Sequence, residues 1–221
     1  LNKPNKIPSQ ATLDQARDHL YAAVERFLSK RAGSPQYVGL HHRLDFDTSG
    51  VIMMTKDRSA NKAVSDLFSG RNIQKTYIAL CKRPKEIPDV DAVLKATGLT
   101  ALEARASWLI KNLLRKTPSP VGKVSFMKPV KSNGDEAETE FKILEIRGET
   151  LLIEARPHTG RMHQIRTHLK SSGLPIIGDV LYAGPAANRI MLHALRLEFN
   201  HPKSGKPMKI EAPLPKEFLK S

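Results

Sequence analysis

The sequence of 221 residues is poor in cysteine, in long apolar runs and in acidic side chains. Its one cysteine, Cys81, cannot form a disulfide within the chain, which fits a reducing cytoplasm. No apolar run approaches the roughly 18 residues that a membrane span needs. We therefore expect neither a disulfide framework nor a membrane segment.

The shortage of acidic residues leaves a large positive charge. Lys and Arg number 36 against 22 Asp and Glu, so the net charge is +14 and the isoelectric point is near 10.0. An excess of this size indicates a polyanionic partner, and nucleic acid is the favoured one. A membrane surface is less favoured, because the basic residues do not collect on one amphipathic helix.

The apolar periodicity predicts strands mixed with a few helices, without regular β-α-β alternation. Strands are expected at residues 51–55, 76–81, 138–146, 150–156 and 190–199. One helix is expected to begin after Thr12 and end at Gly33, a second to lie around residues 60–68, and a third to run from Thr159-Gly160 to Gly173. This pattern favours one α+β domain over residues 1–221, with a mostly antiparallel sheet.

The segment at residues 94–116 is predicted to be a helical insertion. Thr100 and Glu103 have the spacing of a capping box, and apolar residues follow at roughly helical intervals as far as Leu113. The preceding stretch, residues 82–98, contains Pro84 and Pro88 and is expected to be a loop.

The eight histidines do not have the spacing of a metal site. His163 and His168 are five residues apart, which places them about 140° apart around a helix. The H-E-x-x-H pattern is missing, and one cysteine cannot build a thiolate site. We therefore predict no metal and no cofactor, and we expect these histidines to bond to backbone or to RNA phosphate.

Asp45 is the side chain for which the local pattern leaves two interpretations open. It lies in a polar loop before an apolar strand, where an aspartate often bonds to its own backbone in a turn. The same position suits a catalytic carboxylate. Ser49 lacks the G-x-S-x-G pattern of a hydrolase nucleophile, and Cys81 is expected to be a core thiol.

Several motifs, in the same order along the chain, resemble the RluA-type family of RNA pseudouridine synthases. They are NKP (residues 2–4), HRLDFDTSG (42–50), KTYIA (75–79), GRMHQIRTH (160–168), GLPIIGD (173–179) and LHA (192–194). The resemblance covers almost the whole chain. It implies an α+β fold whose central, mostly antiparallel mixed sheet is flanked by helices and crossed by a basic active-site cleft. Residues 94–116 depart from the family pattern, which bears on the choice of substrate.

The resemblance also implies the reaction and the residues that perform it. Family members isomerise uridine in RNA by breaking the bond between base nitrogen and ribose and rejoining the ribose to a carbon. The catalytic residues that match are Asp45, Tyr77 and Arg166. The residues expected to contact RNA or to flip the base are Arg43, His42, Arg161 and His163, and those expected to wall the uracil pocket are Ile165 and Leu192.

Each catalytic role makes physical sense. Asp45 must stay ionised against a base, and a neighbouring cation would lower its pKa. Arg166 matches the family's arginine partner of the aspartate, and its planar fork suits a carboxylate. Tyr77 matches the aromatic residue that stacks on the target base, and its hydroxyl could relay a proton.

The leading interpretation is therefore an isomerase acting on specific uridines in structured rRNA or tRNA, as a monomer in the cytoplasm. The alternative is a non-catalytic basic RNA-binding module with the same fold. A metal-dependent nuclease is the least favoured, because the chain lacks a clear carboxylate cluster. In the family a small RNA-binding domain often precedes this one, and we expect such a domain before Leu1 in the full protein.

Overall fold

The structure, a computed structural model, describes residues 1–12, 14, 16–118 and 125–219, which form eleven strands and four α-helices. In chain order these are β1 (Asn2–Lys3), α1 (Leu20–Ala32), β2 (Gly39–Leu40), β3 (Ser49–Val51), β4 (Met54–Thr55), α2 (Asn61–Ser69), β5 (Ile73–Lys82), α3 (Ile87–Thr97), β6 (Ser107–Pro118), β7 (Ser125–Val130), β8 (Asp135–Arg147), β9 (Thr150–Pro157), α4 (Gln164–Ser171), β10 (Leu192–Asn200) and β11 (Pro207–Glu211). None of the described helices is both long and apolar enough to cross a bilayer.

The chain divides into two compact units. The first comprises Leu1–Lys75 and His193–Leu214, and the second comprises Thr76–Leu192 and Pro215–Ser221. In the first unit, β3 pairs antiparallel with β1 and parallel with β10, and β10 pairs antiparallel with β11. The short strands β2 and β4 form a separate antiparallel pair. The sequence between two strands of this sheet, β1 and β3, carries α1 and the loop with Asp45.

The second unit contains a five-stranded antiparallel sheet. Its strand order is β5-β9-β8-β6-β7. Among the strand pairings described within the two units, the one between β3 and β10 is the parallel one. The expectation of an α+β fold with a mostly antiparallel, mixed sheet is confirmed.

The core of the second unit lies on the face of the sheet that carries α4. Buried side chains alternate along the first half of β8, as in a strand with one covered face, whereas β5 and β9 have runs of buried residues at positions 78–81 and 151–153. The cluster joins strands to helices through Cys81, Trp108, Phe141, Ile153, Ile165 and Leu169, all of which are buried. The Trp108 and Phe141 rings stack with their centroids 5.2 Å apart. This packing fixes α4 on the sheet.

The predicted helical insertion at residues 94–116 is wrong. Ser107–Pro118 is the strand β6, which pairs with β7 on one side and β8 on the other. Trp108 is 5% exposed and its neighbour Leu109 is 56% exposed, which is the alternation of a strand rather than of a helix. Over a short segment, apolar residues at this spacing fit both the period of a helix and the period of a strand. The segment is a strand because it pairs with two neighbouring strands.

The helix in this region lies earlier, at Ile87–Thr97, where a loop was expected. The loop was predicted because prolines usually interrupt helices. Pro88, however, lies in the first turn of α3, where the helix needs no backbone N–H donor. Gly98, with φ of 73°, then ends the helix in the left-handed conformation.

The N-terminal helix begins later than expected. It starts at Leu20 with His19 as its N-cap, and the His19 ring accepts the Ala22 N–H at 3.2 Å. Its predicted end at Gly33 is confirmed. Two residues of the expected first turn, Leu13 and Gln15, lie outside the described residues. Likewise the expected strand at residues 51–55 is two short strands, β3 and β4.

Candidate active site

The backbone around Asp45 is held by side chains on both sides of it. On one side, the Ser9 hydroxyl donates to the Leu44 carbonyl at 2.8 Å and accepts the Leu44 N–H at 3.0 Å. On the other side, the Lys3 ammonium donates to the Phe46 carbonyl at 3.2 Å. The half-buried Asp45 is therefore placed by a loop whose backbone has little freedom.

Lys3 has no solvent-exposed surface, and its ammonium satisfies three backbone carbonyls. Besides its bond to the Asp45 loop, its Nζ donates to the Pro4 carbonyl at 3.0 Å and to the Ile7 carbonyl at 2.8 Å. Within the loop, the Thr48 N–H donates to the Asp45 carbonyl at 3.2 Å. One buried cation thus ties the segment after β1 to the loop that precedes β3.

The Ser49-Gly50 pair that follows this loop has a packing role. Ser49 Oγ lies 2.8 Å from Nδ1 of His193, which is on β10. Gly50 has φ of 121°, and a β-carbon there would lie 2.2 Å from the Ala194 carbonyl oxygen. Only glycine permits this close approach of β3 to β10. The motif residues after Asp45 therefore fix the parallel strand pair.

The His42 ring is occupied by structural contacts. It stacks on Phe68 with ring centroids 4.4 Å apart, and its Nε2 accepts the Met53 N–H at 2.8 Å. Burial, with smaller effects from the charges of Lys75 and His41, lowers the pKa of His42 to about 3. A neutral ring brings no positive charge to a phosphate. The RNA contact predicted for His42 stays a prediction, and the contact would be one made by an uncharged ring.

Arg43 is exposed, two residues before Asp45 in the same loop. Its predicted part in base flipping stays a prediction. In the first unit, the structure therefore brings together Asp45, Arg43 and His42 on one short loop.

Three of the residues predicted in the second unit belong to one cluster. Tyr77 lies on β5 opposite Ala155 of β9, and its half-buried side chain packs against the hydrophobic core. Ile165 and Leu192 are buried members of that core. Their role as walls of a uracil pocket stays a prediction.

Gln164, the first residue of α4, has four hydrogen bonds that fix the start of the helix. Its Oε1 accepts from the Thr159 hydroxyl at 2.7 Å and from the Arg161 N–H at 3.0 Å. Its Nε2 donates to the Glu138 carbonyl and to the Thr139 hydroxyl, both at 2.9 Å. A buried side-chain amide with four hydrogen bonds inside the protein has a structural role.

Arg166 is a buried residue of α4. It is 5% exposed and forms a bidentate ion pair with Asp179, which is 1% exposed. Nε and Nη2 donate to the two carboxylate oxygens at 2.7 and 2.8 Å. Asp179 ends the GLPIIGD motif, and the motif alone does not indicate that it pairs with Arg166. The pairing of Arg166 with Asp45 is a separate prediction that this ion pair does not test.

Tyr182 also lies beside Arg166. The Arg166 guanidinium carbon lies 5.1 Å from the centroid of the Tyr182 ring, within cation–π range. The Tyr182 hydroxyl accepts the Met127 N–H at 2.8 Å and lies 3.1 Å from Nδ1 of His163. Burial raises the pKa of Tyr182.

Two other residues predicted to contact RNA lie just before α4. Arg161 is half-buried, and its Nε donates to the Glu136 carbonyl at 2.9 Å. His163 caps α4 in the left-handed conformation, with φ of 51°. Their RNA contacts stay predictions.

Cys81 is a core residue, as predicted. It is fully buried on β5, and burial, aided by the charge of Asp179, raises the pKa of its thiol. Within the part of the chain that the structure describes, no three His, Cys, Asp or Glu side chains are grouped so that they could hold a metal ion.

Two human proteins share the fold. Human RNA Pseudouridylate Synthase Domain Containing 4 matches with a TM-score of 0.68 and 20% identity, over 99% of this chain and 85% of that one. Human RNA Pseudouridylate Synthase Domain Containing 1 matches with a TM-score of 0.67 and 24% identity, over 96% and 78%.

Curated bacterial proteins are more similar in sequence. Ribosomal large subunit pseudouridine synthase C of Yersinia pestis is 35% identical over 188 residues, which are 81% of this chain and 52% of that protein. The protein of the same name from Vibrio vulnificus is 32% identical over 211 residues, 90% of this chain and 59% of that protein. The chain thus spans about half the length of the curated relatives that it matches.

A family model described as RNA pseudouridylate synthase matches residues 1–171, which include Asp45, Tyr77 and Arg166. This match covers more than half of the chain, and the motifs of the RluA type lie where the structure places the fixed loop before β3, the strand β5 and the helix α4. The chain belongs to the RNA pseudouridylate synthase family, and within it to the RluA type.

Proposed function

We propose that this chain converts specific uridines of structured RNA, in the first place ribosomal RNA, into pseudouridine, with Asp45 as the essential carboxylate. The family supports the reaction, and the names of the two bacterial relatives support ribosomal RNA. The excess of 36 basic over 22 acidic side chains suits an RNA substrate.

The observation that carries this proposal is the fixed backbone around Asp45. A turn aspartate with only a local role does not need a buried lysine and a buried serine bonded to its neighbours' carbonyls. A reacting carboxylate does, because small displacements of a catalytic group slow a reaction strongly.

The reaction is an isomerisation, so its atoms and electrons balance without a further reactant. The bond between ribose carbon 1 and base nitrogen 1 breaks, and a bond between ribose carbon 1 and base carbon 5 forms. Carbon 5 loses a proton and nitrogen 1 gains one. Asp45 would assist the cleavage as a carboxylate, through attack or through proton removal.

On this proposal Tyr77 and Arg166 act with Asp45. The half-buried ring of Tyr77 would stack on the uracil, and its hydroxyl would relay the proton from carbon 5. Arg166 would keep Asp45 ionised, as a cation beside a carboxylate does. Because the glycosidic bond of a stacked nucleotide is out of reach, the target base must flip out, and the exposed Arg43 would fill its place.

We propose that the protein works as a monomer in the cytoplasm, where ribosomal RNA is present.

The test uses transcripts of large-subunit ribosomal RNA and of transfer RNA that carry tritium at carbon 5 of uridine. Rearrangement releases the tritium to water, so the release measures turnover directly. We expect release from the ribosomal transcript and none from the same transcript with Asp45→Asn protein. Tight binding of both transcripts without any release would instead identify a non-catalytic RNA-binding module.

A further inference from the structure

Asp179 is a buried carboxylate that the reaction does not use directly. Its side chain is 1% exposed, and both of its oxygens accept from Arg166 at 2.7 and 2.8 Å. A buried ion pair is weak evidence for stability, because desolvating two charges offsets much of their attraction. The pair therefore calls for another explanation than stability alone.

The backbone of Asp179 is as firmly held as its side chain. Its N–H donates to the Ile176 carbonyl at 3.1 Å, and its carbonyl accepts the Tyr182 and Gly184 N–H groups at 3.1 and 2.8 Å. Gly178 before it has φ of 85°, so the turn takes a conformation that few residues besides glycine adopt. The carboxylate of Asp179 thus belongs to a turn whose backbone is held by hydrogen bonds.

This carboxylate fixes the direction of the Arg166 guanidinium. A fork with two parallel bonds sets the guanidinium plane and its rotation about the last side-chain bond, which a single bond does not do. Both bonds use the Nε and Nη2 edge, and the guanidinium carbon lies over the Tyr182 ring, 5.1 Å from its centroid. Because this edge is held, the N–H bonds of Nη1, the remaining nitrogen of the guanidinium, point in a fixed direction.

We propose that Asp179 is a positioning residue, whose fork holds Arg166 in the orientation that the reaction needs. This inference rests on the proposed function, in which Arg166 serves the essential carboxylate. Asp179 acts only through Arg166 and does not touch the substrate.

The test is a double-mutant cycle on the full chain, with the tritiated large-subunit ribosomal transcript. Asp179→Asn keeps the shape of the side chain and loses the charged fork. We expect its single-turnover rate at saturating RNA to fall about 100-fold, as for a catalytic group displaced by about 1 Å. The dissociation constant for RNA should stay within about threefold, because one buried residue is not among the phosphate contacts.

The cycle uses Arg166→Lys as its second substitution. A lysine cannot form the fork, so adding Asp179→Asn to Arg166→Lys should change the rate by less than about threefold. Independent losses that multiply in the double variant would overturn the proposal. Asp179→Glu, which keeps the charge and displaces the carboxylate by one methylene, should also slow the reaction, and a wild-type rate for a folded Asp179→Glu would overturn the proposal too.

His168→Gln is the matched control for stability. His168 lies two residues further along α4, is fully buried and has its own hydrogen bonds, to Thr139 and Asn112. It should lose stability and keep the single-turnover rate. An equal loss of rate in His168→Gln and Asp179→Asn would show that any disturbance of α4 slows the enzyme, and would overturn the specific role of Asp179.

A spectroscopic readout separates this inference from the proposed function. The Nε–H group of Arg166, assigned by its disappearance in Arg166→Lys, should exchange slowly with water in the wild type and rapidly in Asp179→Asn. An unchanged exchange rate would overturn the proposal, whether or not the chain acts on RNA. If the wild type releases no tritium from any transcript, the proposed function fails, and the exchange measurement still decides whether Asp179 orients Arg166.

Discussion

Ser49 and His193 lie 144 residues apart in the chain, and a buried hydrogen bond of 2.8 Å joins Ser49 Oγ to Nδ1 of His193. The bond connects the first residue of β3, just after the Asp45 loop, to β10. It also explains two motifs at once, because the serine of HRLDFDTSG and the histidine of LHA are partners.

Ser49→Ala should lower the free energy of unfolding by about 1–3 kcal/mol, because a buried polar ring atom loses a partner. Urea unfolding, followed by circular dichroism, measures this. Ser59→Ala is the matched control, since its hydroxyl bonds to Asp57 at the exposed surface, and it should change stability little. Equal effects of the two substitutions would contradict the importance of the Ser49–His193 bond.

Gly50→Ala should prevent stable folding. The new β-carbon would lie 2.2 Å from the Ala194 carbonyl oxygen, and φ of 121° is already strained for alanine. Gly205→Ala is the control, because Gly205 also has a positive φ, 68°, but no atom within 4 Å of the added carbon. Soluble yield and melting temperature should be far lower for Gly50→Ala, and similar values for the two variants would contradict the close approach of β3 and β10.

Stability should fall as the pH drops below about 6.5, in part through His168. Burial lowers the pKa of His168 to about 4, so between its unfolded pKa of 6.5 and this value the unfolded chain binds the extra proton. The contribution of neutral His168 is fully present above pH 6.5 and is lost as the pH falls toward 4. Each pKa unit corresponds to about 1.4 kcal/mol, so a shift from 6.5 to about 4 corresponds to a loss of roughly 3 kcal/mol.

His168→Gln tests this pH dependence. Glutamine does not titrate, so the variant should be less stable than the wild type at pH 7.5 but should lose less stability between pH 6.5 and pH 4. Urea unfolding at several pH values measures both slopes. Parallel slopes in the wild type and the variant would contradict the buried, neutral state of His168.

The long periodic elements could be predicted from the sequence, and the local contacts of charged groups could not. Apolar residues alternate along β10, β9 carries an apolar run, and Gly33 and Gly173 follow α1 and α4, so these strands and helix ends lie close to where the pattern puts them. The segment at residues 94–116 failed because its apolar residues fit both periods, and only the pairing of β6 with two strands resolves the ambiguity.

The candidate site shows the same division. The motifs identified Asp45, Tyr77 and Arg166 by resemblance. Nothing in the sequence indicated that Lys3 fixes the Asp45 loop or that Asp179 holds Arg166, because these bonds join segments whose proximity only the fold creates. The one sequence signal for these two residues is their place in the family motifs, Lys3 in NKP and Asp179 in GLPIIGD, and it does not identify their partners.

Tyr77 should respond differently to two substitutions. Tyr77→Phe keeps the ring, so RNA affinity should stay and the rate should fall if the hydroxyl relays a proton. Tyr77→Ala should also weaken binding, since stacking of a base on an aromatic ring contributes about 1–3 kcal/mol. Tritium release and filter binding measure the two effects, and wild-type rates for both variants would show that Tyr77 is only a core residue.

The measurement that tests the account most directly is single-turnover tritium release by Asp45→Asn protein, with RNA binding measured on the same sample. We expect no detectable release and a dissociation constant within a few fold of the wild type, because one carboxylate carries the chemistry and many Lys and Arg side chains carry the binding. Release at about a tenth of the wild-type rate or more would contradict the assignment of Asp45 as the essential carboxylate.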